Sequence, residues 1–346
     1  MKKILFVTKY FLFDEIGGGA QKSIELLVES LKSDYKVEVF TLKTKSSKKW
    51  IYKFNLNLIK KVKYFDLIYL NSFFSPLTIF FLLFKKNKII ISPKGELFSG
   101  ALKNKSLKKK IWLYVFNLFF KGRFIFHASS YDEKKIINKI VSPKKILIAP
   151  DIINFKISNT KPSKNKELKI IFISRLDFKK NLLFAINILS RVKRKIYFDI
   201  YGDIGDKRYF EKCIYKLKKF PRNVKWEYRG ALKKNEVNRV FLMYDLFFFP
   251  TLGENFGYVI LESLSNYCPL LLSKGTTIFD DLDKFSIGSN IDLNSSPKNW
   301  VNYIEIFKPK KAQDDFLNFK NYLFSKFDTN KIIQSNKKMI DEVLRQ

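Results

Sequence analysis

The feature that most constrains this chain is a rhythm that runs through it twice. Short runs of β-branched, leucine and aromatic residues alternate with longer segments of helical periodicity, the pattern of parallel α/β sheets. In the first half the strand runs are Ile4–Thr8, Val37–Leu42, Asp66–Asn71, Lys88–Ser92, Phe124–Ala128 and Ile146–Ala149. Between them, Ile24, Leu27, Val28 and Leu31 recur every three or four residues and form one apolar stripe of a helix. Residues 156–167 are polar and aperiodic, which reads as a linker. The rhythm then restarts with strands at Lys169–Ser174, Tyr197–Tyr201, Val224–Tyr228, Leu246–Pro250 and Leu270–Ser273. The expected fold class is α/β, with two Rossmann-like, doubly wound parallel-sheet domains facing a central cleft. A length of 346 residues agrees, being more than one hydrophobic core usually serves.

Composition removes several classes of function. At 46% hydrophobic and 28% charged the chain is not a mainly disordered one. Two well-separated cysteines, Cys213 and Cys268, give neither a disulfide framework nor a four-cysteine zinc site. A single histidine, His127, excludes chemistry that needs a histidine pair; it sits on an apolar strand, where buried packing is expected. The apolar run after Met1-Lys2-Lys3 is four residues long, too short for a signal peptide, so a cytoplasmic chain is expected. The longest apolar stretch, Phe73 to Phe84, contains Ser75, Pro76 and Thr78 and falls short of the roughly 20 residues a span needs.

Charge is uneven. The net charge is +34, and residues 39–145 hold 24 Lys or Arg against four acids, Asp66, Glu96, Asp132 and Glu133. Aromatics interleave with this basic block at Lys48–Phe54 and Lys108–Tyr114. An anionic membrane face fits, since basic residues near it add attraction and Trp or Tyr sits at the headgroups. Nucleic acid fits through counterion release and stacking. A general drift of the chain toward Lys, Ile, Asn and Phe would produce the same charge with no partner.

Three motifs could carry chemistry. Gly17-Gly18-Gly19 follows the first strand and opens a helix, where backbone can approach a ligand and a helix N-terminus attracts anions. It is neither the dinucleotide fingerprint nor a P-loop, and a flexible turn is the plain alternative. Ser174-Arg175-Leu176-Asp177-Phe178-Lys179-Lys180 ends the first strand of the second half, so Arg175 and Lys180 could converge on one anionic group. Glu254 to Glu262 follows the buried run Leu246–Pro250 and starts a helix. Carboxylates flanking such a helix start suit the hydroxyls of a sugar nucleotide, although a first-turn acid and a surface Glu are the ordinary reading.

These residues together resemble the retaining GT-B glycosyltransferases of family 4, also called glycosyltransferase group 1. The resemblance rests on Gly17-Gly18-Gly19, on Ser174-Arg175-Leu176 with Lys179-Lys180, and on the Glu254-x7-Glu262 motif containing Phe256-Gly257. Ser92-Pro93-Lys94-Gly95-Glu96-Leu97 is similar to a segment of bacterial polysaccharide-assembly members. Asn255 stands where the family usually has Gly, and the strand ending at Ser92 lacks a histidine that some members carry.

The resemblance implies a donor diphosphate held by Arg175 and Lys180. Ribose hydroxyls would fall to Glu262, the transferred sugar to Glu254, and sugar or phosphate to the amides around Asn255, Phe256, Gly257 and Tyr258. Leu232 would lie near the base, Gly18 and Gly19 would admit the donor, and Lys94 and Glu96 would lie on the acceptor side. Glu254, Arg175 and Lys180 are thereby the catalytic candidates. Two fixed cations and a helix start can stabilise a leaving diphosphate, so no metal or cofactor is expected. Asp281 and Asp283 match an Asp-x-Asp pattern but are read as a solvated loop.

The implied partners are a UDP- or GDP-sugar, a glycan or lipid-linked acceptor, and the anionic inner face of the plasma membrane, in bacterial surface polysaccharide synthesis. Nucleic acid is not expected. The rival readings are a basic nucleic-acid-binding protein and another enzyme on the same fold, such as a sugar-nucleotide epimerase. Expected boundaries are an acceptor domain at 1–155, a linker at 156–167, a donor domain at 168–328 and a C-terminal helix at 329–346 packing on the first domain.

Overall fold

Four consecutive apolar residues, Ile4 to Val7, open the chain inside the strand β1 (Lys3–Thr8), and all four are buried. Both faces of such a strand must be covered, which is the situation of a parallel sheet between helix layers. The computed structural model describes residues 1–8, 19–41, 62–83, 87–98, 101–102, 106–153, 155–160, 166–233, 235–254, 256–309 and 316–345. They fall into two units, Met1–Asn154 with Phe327–Gln346, and Phe155–Lys326.

In the first unit β1 is joined by β2 (Lys36–Thr41), β3 (Leu67–Asn71), β4 (Lys88–Ser92), β5 (Ile125–Ala128) and β6 (Lys145–Ile148). All pairs are parallel, in the order β2-β1-β3-β4-β5-β6. The connecting helices are α1 (Gly19–Leu31), α2 (Pro76–Phe81), α3 (Ser106–Phe119) and α4 (Tyr131–Ile140). Ser75 caps α2 by accepting from Leu77 N at 3.3 Å, and Pro76 takes the first turn, where its missing N–H costs nothing. The core is aromatic: Phe73 lies 4.8 Å from Phe116, edge to face, and Trp112 donates its indole N–H to Phe73 O.

The last helix completes this unit. Its buried stripe Ile332, Met339, Ile340 and Val343 is flanked by polar ties to the first unit. Asn336 donates to Pro150 O, Tyr35 to Asp341, and Lys88 to Leu344 O, while Lys337 pairs with Asp34 and Lys145 with Glu342.

The second unit holds β7 (Leu168–Ile173), β8 (Ile196–Tyr201), β9 (Val224–Tyr228), β10 (Leu246–Phe249), β11 (Leu270–Ser273) and β12 (Gly288–Ile291). Their order is β12-β11-β10-β7-β8-β9, again all parallel. Strand β12 has no apolar run to announce it; among the described residues it is an edge strand whose partner is β11 alone. Its helices are α5 (Leu182–Leu189), α6 (Lys207–Leu217), α7 (Val237–Phe241), α8 (Tyr258–Ser265), α9 (Pro297–Ile306) and α10 (Phe316–Lys326). Residues 155–160, expected within or beside a linker, belong to this unit. Ser158 donates its N–H to Ser265 O and its carbonyl accepts from the Tyr267 hydroxyl, so polar composition here marks backbone bonded to a domain surface. No helix among the described residues is long and apolar enough to cross a membrane.

One glycine fixes the mouth of the second sheet. Gly202 follows β8 with φ +135, and a Cβ there would stand 1.7 Å from Ser174 O. Gly230 also has positive φ (+75), but a Cβ there would meet nothing. Gly202→Ala is therefore expected to destabilise the protein by about 3 kcal/mol and Gly230→Ala by about 1 kcal/mol. Thermal unfolding of the two variants checks this; equal midpoints would contradict the close approach.

Candidate functional site

The ends of β7, β8 and β10 lie side by side because those strands pair in parallel register. The chain leaving β7 turns through Ser174–Asp177 into a single 3-10 turn, Phe178–Lys180. Asp177 caps that turn, one carboxylate oxygen accepting from Lys180 N at 3.3 Å. Its other oxygen accepts from Arg175 Nε at 2.9 Å and Nη2 at 2.8 Å. Arg175 remains largely solvent-exposed, and its stem crosses Gly205, where a Cβ would come within 2.8 Å of the Arg175 Cγ. Asn181 then takes a left-handed conformation (φ 60, ψ 37), which Asn tolerates better than most residues. Its side-chain amide donates to Pro250 O at 2.9 Å, tying this turn to the end of β10.

Lys180 and Glu254, 74 residues apart, meet at 2.5 Å. Their side chains are 17% and 12% exposed, so the pair is shielded yet reachable. Lys180 Nζ also sits 5.6 Å from the centre of the Phe249 ring. Glu254 is held from behind: Thr251 donates its hydroxyl to the same carboxylate oxygen at 3.0 Å, and Glu254 N donates to Thr276 O at 2.8 Å. Ser273, at the end of β11, donates to Thr251 O and shares a 2.7 Å hydrogen bond with the Thr276 hydroxyl. Leu252 N donates to Lys179 O at 2.9 Å. Burial holds the Lys179 ammonium below its ordinary range; Glu254 opposes that shift and Lys180 adds to it.

Helix α8 starts just beyond. Gly257 is its N-cap at φ +80, and a Cβ there would crowd Ile260 Cδ1 at 2.9 Å, so glycine is required on two counts. The Phe256 ring packs on Tyr258 at 4.6 Å, and Glu262, one turn into the helix, is half-buried. On the other flank Gly202 N donates to Gly230 O at 2.8 Å, bringing the Arg229–Leu232 loop beside Ser174. Leu232 is half-buried there. The arrangement gathers two lysines, an arginine, a fixed carboxylate and a helix start along one sheet edge. It can hold an anion and hydrogen-bond hydroxyl groups next to it.

Residues 154–315, most of the second unit, match the family described as glycosyl transferases group 1. An uncharacterized 41.2 kDa protein in the cps region of Klebsiella pneumoniae is 26% identical over 263 residues, 70% of each chain. The second unit is thus similar to glycosyltransferase group 1. The chain's fold is shared by Anabaena Alr3699/HepE in complex with UDP and glucose, with a TM-score of 0.75 at 16% identity over 99% of this chain and 100% of that one. Sucrose-phosphate synthase from Thermosynechococcus elongatus shares it too, with a TM-score of 0.75 at 15% identity over the whole of both chains. Two parallel six-stranded sheets with flanking helices are the GT-B architecture.

Lys94 and Glu96, expected on the acceptor side, are both bonded within the first unit. The Lys94 side chain is only 5% exposed and forms an ion pair with Asp151, itself 2% exposed. Burial alone would push the Lys94 ammonium down, but Asp151 outweighs it and the net shift is upward. Asp151 is held below its usual range by the same contact, against its own burial. Glu96 caps the turn after β3, accepting from Ser72 Oγ at 2.7 Å, Phe73 N at 2.6 Å and Phe74 N at 3.1 Å. Gly95 N donates to the buried Glu133 carboxylate at 2.6 Å. Both charges of this motif are thus spent on the frame of the loop.

Gly19 opens α1, while Gly17, Gly18 and Asn255 lie outside the described residues, as does the basic segment Lys48–Phe54. Asp281 is no idle loop acid, since it accepts from Tyr322 and Lys326 and anchors α10. Sequence reasoning passed over Asp177, Asn181, Thr251, Ser273 and Thr276. Four of these five follow or end a strand at its C-terminal edge, the position that could have flagged them.

His127 is buried beside the Lys94–Asp151 pair. Its Nε2 faces Ala149 O at 2.7 Å and must carry the proton, so Nδ1 accepts from the Tyr69 hydroxyl at 2.5 Å. Burial, helped by the Lys94 charge, lowers its pKa to about 4. The unfolded chain binds a proton near pH 6.5 and the folded one does not until about pH 4. Stability is therefore fully present above pH 6.5 and falls by about 3 kcal/mol as pH drops to 4. As the only histidine, its NMR signal should stay that of neutral imidazole at pH 5.5 in the native protein. A midpoint near pH 6.5 would overturn this assignment.

Proposed function

We propose that this glycosyltransferase moves a sugar from a nucleotide-diphosphate sugar, linked to UDP or GDP, to a glycan or lipid-linked acceptor. Retention of anomeric configuration, independence of metal, and work at the inner face of a membrane in surface polysaccharide synthesis complete the proposal. The observation that carries it is the Lys180–Glu254 pair at the edge where β7 and β10 end, beside the start of α8. The relative from a cps region supports a role in polysaccharide assembly. The neighbour crystallised with UDP and glucose supports a uridine donor on this fold.

The chemistry follows from charge. As the bond from the sugar to the diphosphate breaks, negative charge grows on the leaving phosphate and positive charge on the ring. Lys180 and Arg175, already oriented by Glu254 and Asp177, meet the first, with the positive end of α8 beside them. Exchanging a carboxylate for a phosphate leaves Lys180 with an anionic partner throughout, so no bare buried ammonium has to form. Glu254, released in part from Lys180, accepts hydrogen bonds from sugar hydroxyls, and the Phe256, Gly257 and Tyr258 backbone faces the sugar or phosphate. Glu262 takes the ribose hydroxyls, and Leu232 lies near the base. In the first unit Lys94 and Glu96 shape the acceptor loop from within rather than touching the acceptor.

UDP, GDP or ADP at a hundredfold excess over its dissociation constant should stabilise the protein by about 2.7 kcal/mol if it binds the folded state alone. One of UDP and GDP is expected to do so, and Lys180→Ala to weaken that nucleotide about tenfold to a hundredfold. With an α-linked donor, the product is expected to carry an α linkage by NMR. No thermal shift with any nucleotide or intact sugar nucleotide would sink the donor assignment, and a β-linked product the retaining one.

A further inference from the structure

Helix α3 is apolar on two opposite sides. One side seals the first unit: Phe116 is fully buried, Trp112 donates to Phe73 O, and Lys109 bends inward to Ala101 O and over the Phe74 ring. The other side should be polar in a helix covering a soluble domain. It is not. Leu107, Ile111, Tyr114 and Leu118 follow one another at spacings of four, three and four residues, which places them on a single stripe. Each is between 57% and 71% exposed. Lys108 and Lys110 stand exposed on the two flanks, and Lys121 and Arg123 are exposed just past the helix end, next to the exposed Phe119. Between Glu96 and Asp132 the sequence has seven Lys or Arg and no Asp or Glu.

We propose that this stripe is a docking surface for an anionic lipid bilayer, with α3 lying in the interface. The four apolar side chains would enter the boundary between headgroups and acyl chains, and the flanking cations would stay level with the phosphates. A second copy of the chain is a poor occupant, since a symmetric contact through this stripe brings Lys108 and Lys110 against their own equivalents. Nucleic acid would leave Leu107, Ile111 and Leu118 without a stacking partner. This inference deepens the membrane placement proposed above and is independent of the sugar chemistry.

The test is co-sedimentation with phosphatidylcholine vesicles, with and without phosphatidylglycerol, at low and high salt. Wild type is expected to bind the phosphatidylglycerol vesicles and to be released by salt. Lys108→Gln with Lys110→Gln should weaken that binding about thirtyfold. Ile111→Asn with Leu118→Asn, which keeps every charge, should weaken it at least about tenfold. Both variants should keep the wild-type melting temperature and nucleotide affinity, since the altered side chains face solvent and lie in the unit without the donor site. A loss of nucleotide binding in wild type would fault the donor assignment alone. Wild type that stays in the supernatant overturns the docking surface. So does an asparagine variant that binds like wild type, because lysines alone would then suffice. A wild-type dimer that the asparagine variant splits, or a wild-type complex with single-stranded oligonucleotide that it loses, would assign the stripe to that partner instead.

Discussion

Parallel pairing of three central strands is the constraint on which the site depends. Because β7 runs in register with β8 on one side and β10 on the other, their carboxyl ends emerge at one edge of the sheet. Residues far apart in sequence then need only short loops to meet. Those loops are bonded to each other before any ligand arrives: Leu176 N to Asp203 O, Gly202 N to Gly230 O, Asn181 to Pro250 O, Leu252 N to Lys179 O. The positions of Lys180 and Glu254 are therefore set by backbone, and their ion pair closes a geometry already made. A loop edge built this way presents its dipoles already oriented, as the proposed transfer requires.

Much of this edge was legible in the sequence, and for a physical reason. Strands buried on both faces must be continuously apolar, so Ile170–Ile173 and Leu246–Phe249 announce themselves, and the residues just after them are candidates by topology. Lys180 and Glu254 were legible on that ground and do come together. Strand β12 was not, because an edge strand made of Gly288, Ser289, Asn290 and Ile291 carries almost no hydrophobic signal.

The hydroxyl chain Thr251–Ser273–Thr276 and the Lys94–Asp151 pair were hidden for another reason. The Ser273–Thr251 and Lys94–Asp151 contacts each join residues more than 20 apart in the chain, and neither partner's residue type demands the other. A lysine after a strand looks like a ligand-binding group until the carboxylate that buries it is seen. The first unit is thus organised around a neutral imidazole, a phenol and an ion pair packed together, a costly core that fixes the turn between β4 and the next helix. The second unit spends its charges where a ligand can reach them.

The path of the chain between the units carries a consequence for how the molecule is made. The second unit is one uninterrupted stretch, Phe155–Lys326, whereas the first is Met1–Asn154 plus the segment from Phe327 onward. A ribosome releasing the chain in order delivers everything the second unit needs while the first still lacks its closing helix. Until that helix arrives, the faces around Asp34, Tyr35, Lys88 and Pro150 have no cover, and the unit that began first is finished last. Vectorial synthesis thus yields a folded second unit waiting on an unfinished first one, and any clip that removes the final turns would strike the half made of the earliest residues.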